Sequence, residues 1–373
     1  MWCALLLALT TAAPTTAAPP WPAHAVLVGT ASIDDTTTTL QVLTVQDGVA
    51  RRAEAGVVAH QRGVVPVGAV VDDHRVVLSV QDGSARDARV VVHDAGGAQR
   101  TLLHEAAPGQ APLVAVVDGR AVAFVVRELD PTPAGSTFDV VRVELDDPAA
   151  EREVVASRRA LWVTPVRGAV EPLRLLVKDD AGSGVDGAAH IDVVDAGGLQ
   201  PSLALPRVPV RSPVAVGGRL WLEVDDALAA RGRAALRVFA PTKPHEQGAV
   251  VVRGLAGLSP VARGDTLAVG TGRKDGTVLV GRVEDVDERR RPARGLLERR
   301  TGRAGVARPQ GVTAAGDVVV WLDRGVALPG ELWWVPAPPS PPTLLVAPPP
   351  RTAVVVYGVV AAPPAAPATK EAR

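Results

Sequence analysis

Aspartate recurs along this chain of 373 residues at Asp34-Asp35, Asp82, Asp130, Asp179-Asp180, Asp225-Asp226, Asp275 and Asp323. Carboxylates are hard oxygen donors. Several of them on one face could hold Ca²⁺ or, left unneutralised, draw in a basic partner. Aspartate is also a favoured turn residue, and with no asparagine in the sequence the turn role falls on it more heavily. The run Asp179-Asp180-Ala181-Gly182-Ser183-Gly184-Val185-Asp186-Gly187 has the composition of a Ca²⁺ loop, but its acids do not follow EF-hand spacing. The acids therefore mark a candidate binding face; they do not define a metal site.

The opposite charge gathers between Glu288 and Arg308, at Arg289, Arg290, Arg291, Arg294, Arg299, Arg300, Arg303 and Arg308. Such a run could bind phosphates. Interleaved Glu284, Asp285, Asp287, Glu288 and Glu298 dilute it, and no aromatic side chains accompany it for base stacking. A solvated outer edge that discourages pairing with other chains is the expected role. Familiar catalytic patterns are missing: there is no Gly-x-Ser-x-Gly, His-Glu-x-x-His, Cys-x-x-Cys or P-loop. Gly270-Thr271-Gly272-Arg273-Lys274-Asp275-Gly276 has the glycines of a phosphate loop, but it joins two apolar runs where a helix would be needed. The seven histidines, at 24, 60, 74, 93, 104, 190 and 245, never pair at ligand spacing on one element. No catalytic residue, metal ligand or cofactor is assigned, Ca²⁺ being the one ion the acids would suit.

Composition narrows the class. Hydrophobic residues make up 47%, and 40 basic side chains offset 40 acidic ones. That balance excludes a disordered charged tail and a nucleic-acid binder driven by bulk charge, and no run is long enough for a polytopic membrane protein. Phe (3), Tyr (1), Met (1), Ile (2) and Lys (4) are scarce, a bias that follows codon composition. Valine must then fill the role of isoleucine and phenylalanine, and turns must use Asp-Gly.

Residues 1–18 begin with the apolar run Met1 to Leu9 and continue through small residues, as a secretory signal cut near Ala17 or an N-terminal hydrophobic segment would. No Lys or Arg precedes the run, which at nine residues falls short of a bilayer span of about 20. An extracytoplasmic location, periplasmic or secreted, is expected. Cleavage would remove Cys3, the only cysteine, and leave no disulfide.

The elements that must position these residues form a repeat. Short Val-rich runs separated by Gly, Asp and Pro extend from residue 25 to 360 without helical period. Anchor prolines at 66, 112, 165, 213, 260 and 309 each precede a second apolar run, at intervals of 46, 53, 48, 47 and 49 residues. Val91-Val92-His93-Asp94-Ala95-Gly96-Gly97 in one unit parallels Val193-Val194-Asp195-Ala196-Gly197-Gly198 in another. Four short strands in about 49 residues form the blade of a β-propeller, because one small twisted sheet has two apolar faces that only radial stacking buries. The predicted fold is all-β: a propeller of seven four-stranded blades over residues 22–360, followed by a Pro/Ala-rich tail at 361–373. The first unit lacks an anchored strand and Thr352–Tyr357 is a spare one, so the closing blade is expected to be composite. Six blades with an N-terminal extension is the alternative. In this register every aspartate group follows the second strand of its unit.

The anchor prolines and the turns at Asp94–Gly97 and Asp195–Gly198 resemble the WD40-like repeats of bacterial extracytoplasmic propellers of the TolB type. The fuller Ser-Pro-Asp-Gly signature of that family is absent. The resemblance covers most of residues 22–358 and implies architecture more than activity. The expected function is a binding scaffold, holding a protein or small ligand on the loop face marked by the aspartates, as a monomer without nucleic acid. The alternatives are a propeller enzyme, a hydrolase or lyase with a metal or catalytic cluster at the central channel, and a purely structural envelope component.

Overall fold

The computed structural model describes residues 19–83, 88–132, 135–147, 152–179, 189–195, 198–205, 213–225, 233–239, 249–255, 257–286, 295–325 and 328–361. The expected signal segment, residues 362–373 of the tail, Asp180, Asp226 and most of the Ca²⁺-like loop lie outside the described residues. Valine-rich alternation yields strands throughout, and a single 3₁₀ turn at Val283–Asp285 is the only helical element among the described residues. No helix among them is long and apolar enough to cross a membrane.

Among the described residues twenty-eight strands follow one another. The first three, β1 (Val26–Ser32), β2 (Thr37–Gln46) and β3 (Val49–Ala59), form a sheet with the last strand, β28 (Thr352–Val359), in the order β28-β1-β2-β3. Next come β4 (Val67–Val70), β5 (Arg75–Gln81), β6 (Ala88–Asp94) and β7 (Gln99–Ala106), then β8 (Leu113–Val117), β9 (Arg120–Thr132), β10 (Gly135–Glu144) and β11 (Glu153–Ala160). These two runs of four are joined by one bridge, Ala106 to Arg127. Then follow β12 (Trp162–Val170), β13 (Leu173–Lys178), β14 (Ala189–Asp195) and β15 (Gly198–Leu205), and β16 (Val214–Val216), β17 (Arg219–Asp225), β18 (Arg233–Phe239) and β19 (Ala249–Leu255). A single parallel bridge, Arg167 to Val214, links them. Two separate sheets complete the chain: β20 (Val261–Arg263), β21 (Thr266–Gly270), β22 (Thr277–Arg282) and β23 (Leu297–Arg300), then β24 (Val306–Val312), β25 (Val318–Asp323), β26 (Glu331–Val335) and β27 (Thr343–Val346).

Turn chemistry follows the expectation from composition. Asp47-Gly48, Asp118-Gly119 and Gly217-Gly218 are two-residue hairpin loops with both residues at positive φ, the type I′ form whose twist matches that of the strands. Strand β3 runs unbroken through a charged stretch. It is an outer strand whose Arg51, Arg52 and Glu54 lie in solvent, so charge does not interrupt it.

Successive first strands touch in a closed circuit: β4 to β8, β8 to β12, β12 to β16, β16 to β20, β20 to β24, β24 to β28 and β28 to β4. The core is divided accordingly into seven apolar clusters between consecutive runs. Strand alternation serves two clusters at once. Leu175 and Val177 pack with Val122 and Phe124, while Leu176 packs with Leu220 and Leu222. Trp333 joins Val278 and Val280, and its neighbour Trp334 joins Val26 and Val28 on the other face. Each fully buried Val or Leu contributes about 1.5–3 kcal/mol, so stability is spread over thin interfaces.

Two buried polar groups tie neighbouring runs together. The Glu223 carboxylate in β17, fully buried, accepts hydrogen bonds from Gly257 N at 2.6 Å and Ser259 N at 2.9 Å. Tyr357 in β28 donates its hydroxyl to the Pro66 carbonyl at 3.2 Å. Burial raises its pKa well above the ordinary phenol value, so the hydroxyl stays a donor. Gly29 lies against the same ring and leaves no room for a Cβ.

Candidate functional site

At the end of the circuit where first strands turn into second strands lies a cavity of about 650 Å³. Its walls come from five consecutive first strands, β12, β16, β20, β24 and β28, and from the turns at Glu171-Pro172, Gly217-Gly218 and Gly264. Val214, Val216, Val261, Val312 and Val359 contribute apolar surface, and Arg167, Arg174, Arg263, Glu171 and Gln310 the polar groups. Three guanidiniums face one carboxylate, so the lining carries an excess of positive charge.

Two irregularities in strand pairing deliver polar groups here. Between the pairs Pro165/Leu175 and Val170/Leu173, residues 166–169 of β12 oppose Arg174 alone. The bulge carries Arg167 and sets it near Arg174. In β24 the register shifts between Pro309 and Gly311, which makes Gln310 the extra residue. Bulges re-aim side chains and are common beside functional sites. Gly168, at φ 77, lies so close to the Ala215 carbonyl that no side chain fits, and β12 and β16 can approach.

The arginines are short of partners. Arg263 donates Nη1 to the Val359 carbonyl at 2.9 Å. Among the described residues the side chains of Arg167 and Arg174 make no hydrogen bond or ion pair. Arg167 is exposed to the water of the cavity, and Arg174 and Arg263 are half-buried. The neighbouring strands lower the pKa of all three below the ordinary guanidinium value by desolvation. All three stay cationic at neutral pH, and no carboxylate among the described residues forms an ion pair with them.

The aspartates expected to form a binding face lie at the opposite end of the strands, after the second strand of each run. Asp34 pairs with Arg351 at 2.6 Å, Asp82 with Arg89, Asp179 with Arg158 at 3.2 Å, Asp275 with Arg273 at 3.2 Å and Asp323 with Arg308 at 2.8 Å. Asp35 accepts from Ser32 N, and Asp275 and Asp323 also accept from Thr277 N and Gly325 N. Asp130 ends β9 with φ 47 and Asp225 closes β17. The arginine run divides: Leu297–Arg300 is an outer strand, whereas Arg308 belongs to a first strand and faces Asp323. Residues 287–294, with four of its arginines, lie outside the described residues.

Two histidines are structural. His60 bonds Thr38 and the Gln61 carbonyl, and His93 bonds the Ala55 carbonyl. His190 differs: Nδ1 lies 3.1 Å from Asp179 and Nε2 2.9 Å from fully buried Asp192, with Arg158 alongside. Among the described residues no group of three His, Cys, Asp or Glu is placed to hold a metal ion.

No family model matches the sequence, and no curated protein matches it significantly. Solved structures do match. The β-propeller domain of the trilobed protease from Pyrococcus furiosus aligns over 87% of this chain and 98% of its own, with a TM-score of 0.51 at 10% identity. The fold is a β-propeller. Prolyl oligopeptidase B from Galerina marginata aligns over 88% of this chain and 52% of its own, with a TM-score of 0.54 at 10% identity. An oligogalacturonate lyase in complex with manganese aligns over 83% of this chain and 88% of its own, with a TM-score of 0.50 at 12% identity. Identity this low carries architecture and no activity.

Sequence reasoning did not single out the mouth arginines. Arg167 and Arg174 fall in one repeat and Arg263 two repeats later, so no run of charge marks them. A signal was available. Two residues after each anchor proline stand Gly68, Val114, Arg167, Ala215, Ala262 and Gly311, and a lone arginine in an otherwise small or apolar column marks a channel-facing exception.

Proposed function

We propose that this protein is an exported, seven-bladed propeller that works as a binding module and takes its ligand at the channel mouth. Seven runs of four strands and seven apolar clusters support the count. In this reading β28-β1-β2-β3 is a composite blade that clasps the two ends of the chain, and the repeats are of the WD40-like, TolB type. The hydrophobic segment at residues 1–18 supports export. The observation that carries the binding role is the cavity itself, walled by five first strands and supplied with polar groups by two bulges. The aspartate end is then a second, protein-facing surface, with Ca²⁺ as the ion it would accept.

A plug tests the assignment. Ala262 lines the cavity, and Ala262→Trp fills it. Small molecules that raise the melting temperature of the native protein should lose that effect in the plugged variant. Ligands whose effect survives the plug would place binding elsewhere.

A second reading, a propeller enzyme, draws support from His190 between Asp179 and Asp192. A ring held by carboxylates at both nitrogens is oriented for proton transfer. Loss of a hydrolase or lyase turnover in His190→Gln, with binding at the mouth intact, would favour it.

A further inference from the structure

We propose that the channel mouth is a site for an organic oxyanion bearing at least two negative charges, a polycarboxylate or a phosphorylated small molecule. The inference rests on the binding reading above and names the chemical class of ligand. Elsewhere in the propeller, half-buried arginines have partners: Arg127 faces Asp139 at 2.7 Å, Arg324 faces Glu331 at 2.7 Å, and Arg100 donates to the Leu145 carbonyl at 2.5 Å. The side chains of Arg167 and Arg174 have none among the described residues, although both line one cavity and Arg167 stands on a bulge. A bulge and two like charges on one cavity wall are costs to the folded chain, and no contact among the described residues offsets them. A ligand that supplies the missing negative charge does.

The remaining chemistry defines that ligand further. A guanidinium is a planar fork of N–H donors matched to carboxylate or phosphate oxygens, so two neighbouring forks favour a ligand with more than one acidic group. Arg263 adds a third cation, held in place by the Val359 carbonyl and with no other side-chain hydrogen bond among the described residues. Gln310 offers an amide for a hydroxyl, and the valine surface suits a carbon skeleton over a bare inorganic ion. At about 650 Å³ the cavity falls within the range of roughly 300–1,000 Å³ typical of small-molecule sites. Glu171 at the rim repels ligands whose charge spreads beyond the arginines.

Isothermal titration of the intact protein with citrate and with fructose 1,6-bisphosphate tests this, with glycerol and spermidine as neutral and cationic controls. Citrate or the bisphosphate should bind, more weakly as NaCl rises, and the tighter of the two tells carboxylate from phosphate. Arg167→Gln with Arg174→Gln should weaken binding by roughly thirtyfold or more. Arg62→Gln, at the opposite end, should leave it unchanged. Arg167→Lys keeps the charge but loses the fork and should fall between, which covers the case of a misfolded double variant. Equal binding of citrate by the double variant, or tighter binding of glycerol, overturns the oxyanion assignment. If neither anion binds but a neutral ligand does so in a way that Ala262→Trp abolishes, the oxyanion class fails and the mouth stands. If no plug-sensitive ligand exists, both fail.

Discussion

Arginines at the two ends of this propeller meet different fates. At the end where second strands turn into third, Arg351, Arg89, Arg158, Arg273 and Arg308 each face an aspartate. At the channel mouth Arg167 and Arg174 face none among the described residues, and Arg263 has a carbonyl. Charge density alone would have ranked the aspartate-rich end first. Pairing reverses the order, because a charge met by its neighbour has little left for a partner, whereas an unmatched one is open to a ligand. The lesson is to count residual charge after local pairs are formed.

The largest test removes the frame that both ends share. Strand β28 walls the mouth, contributes Tyr357 to the core and pairs with β1 along its length. Deleting residues 352–373 should lower the melting temperature by about 10 °C or more, or abolish a cooperative transition in calorimetry. A truncated chain that melts like the parent would show that the difference between the ends does not depend on closure. Tyr357→Phe, which removes only the bond to Pro66, should cost about 1 kcal/mol in urea unfolding.

Glu223→Ala comes next. This buried carboxylate is satisfied by two backbone N–H groups, an anion stabilised without any cation. Truncation orphans both donors and leaves a void, and denaturant titration should show a loss of about 2–4 kcal/mol. An effect below about 1 kcal/mol would mean that water replaces the carboxylate, and that buried charge here is less costly than the contrast between the ends assumes.

The sharpest comparison is one of sign. Arg308→Ala breaks a partly exposed pair with Asp323 and should destabilise by up to about 1 kcal/mol. Arg167→Met removes an unmatched cation and should leave the ligand-free protein unchanged or more stable by up to about 1 kcal/mol, as expected where a site trades stability for function. Destabilisation by both substitutions to the same degree would erase the distinction, because Arg167 would then have a structural role.

The propeller fold was legible in sequence because it depends on periodic features. Valine runs and anchor prolines repeat about every 49 residues, and Asp-Gly turns replace the missing Asn-Gly. The aspartates were legible for the same reason, since each occupies the same place in its repeat. Their neutralisation was not, because the paired arginines come from different strands: Arg89 from the third strand of its run, Arg158 from the outer strand of the run before, Arg351 from the loop before β28. The mouth was hidden by the opposite property. Arg167 is the one arginine two residues after an anchor proline, and only the meeting of first strands brings it to one cavity with Arg174 and Arg263. Periodicity reveals scaffold, and function sits in departures from it.

Paired charges at the propeller surface should respond to acid, and weakly. On the same end as the mouth, the hydrogen bond from Arg75 holds Asp146 below its usual carboxylate value, and Arg273 does the same to Glu298 on the outer strand β23. A carboxylate whose pKa is depressed by folding binds protons more readily when unfolded. Its stabilising contribution is therefore complete above its ordinary value, 3.8 for Asp146 and 4.5 for Glu298, and is lost as pH falls through the lower folded value. Both side chains are about half exposed, so solvent screening leaves only a small effect. Between pH 5 and pH 3, Arg75→Gln should flatten the fall in melting temperature by about 1–2 °C. Neither Arg167 nor Arg174 has a carboxylate to titrate with among the described residues, so Arg167→Gln should leave the same acid limb unchanged. If it instead flattens the limb as Arg75→Gln does, Arg167 is paired in solution and the mouth is not a site of residual charge.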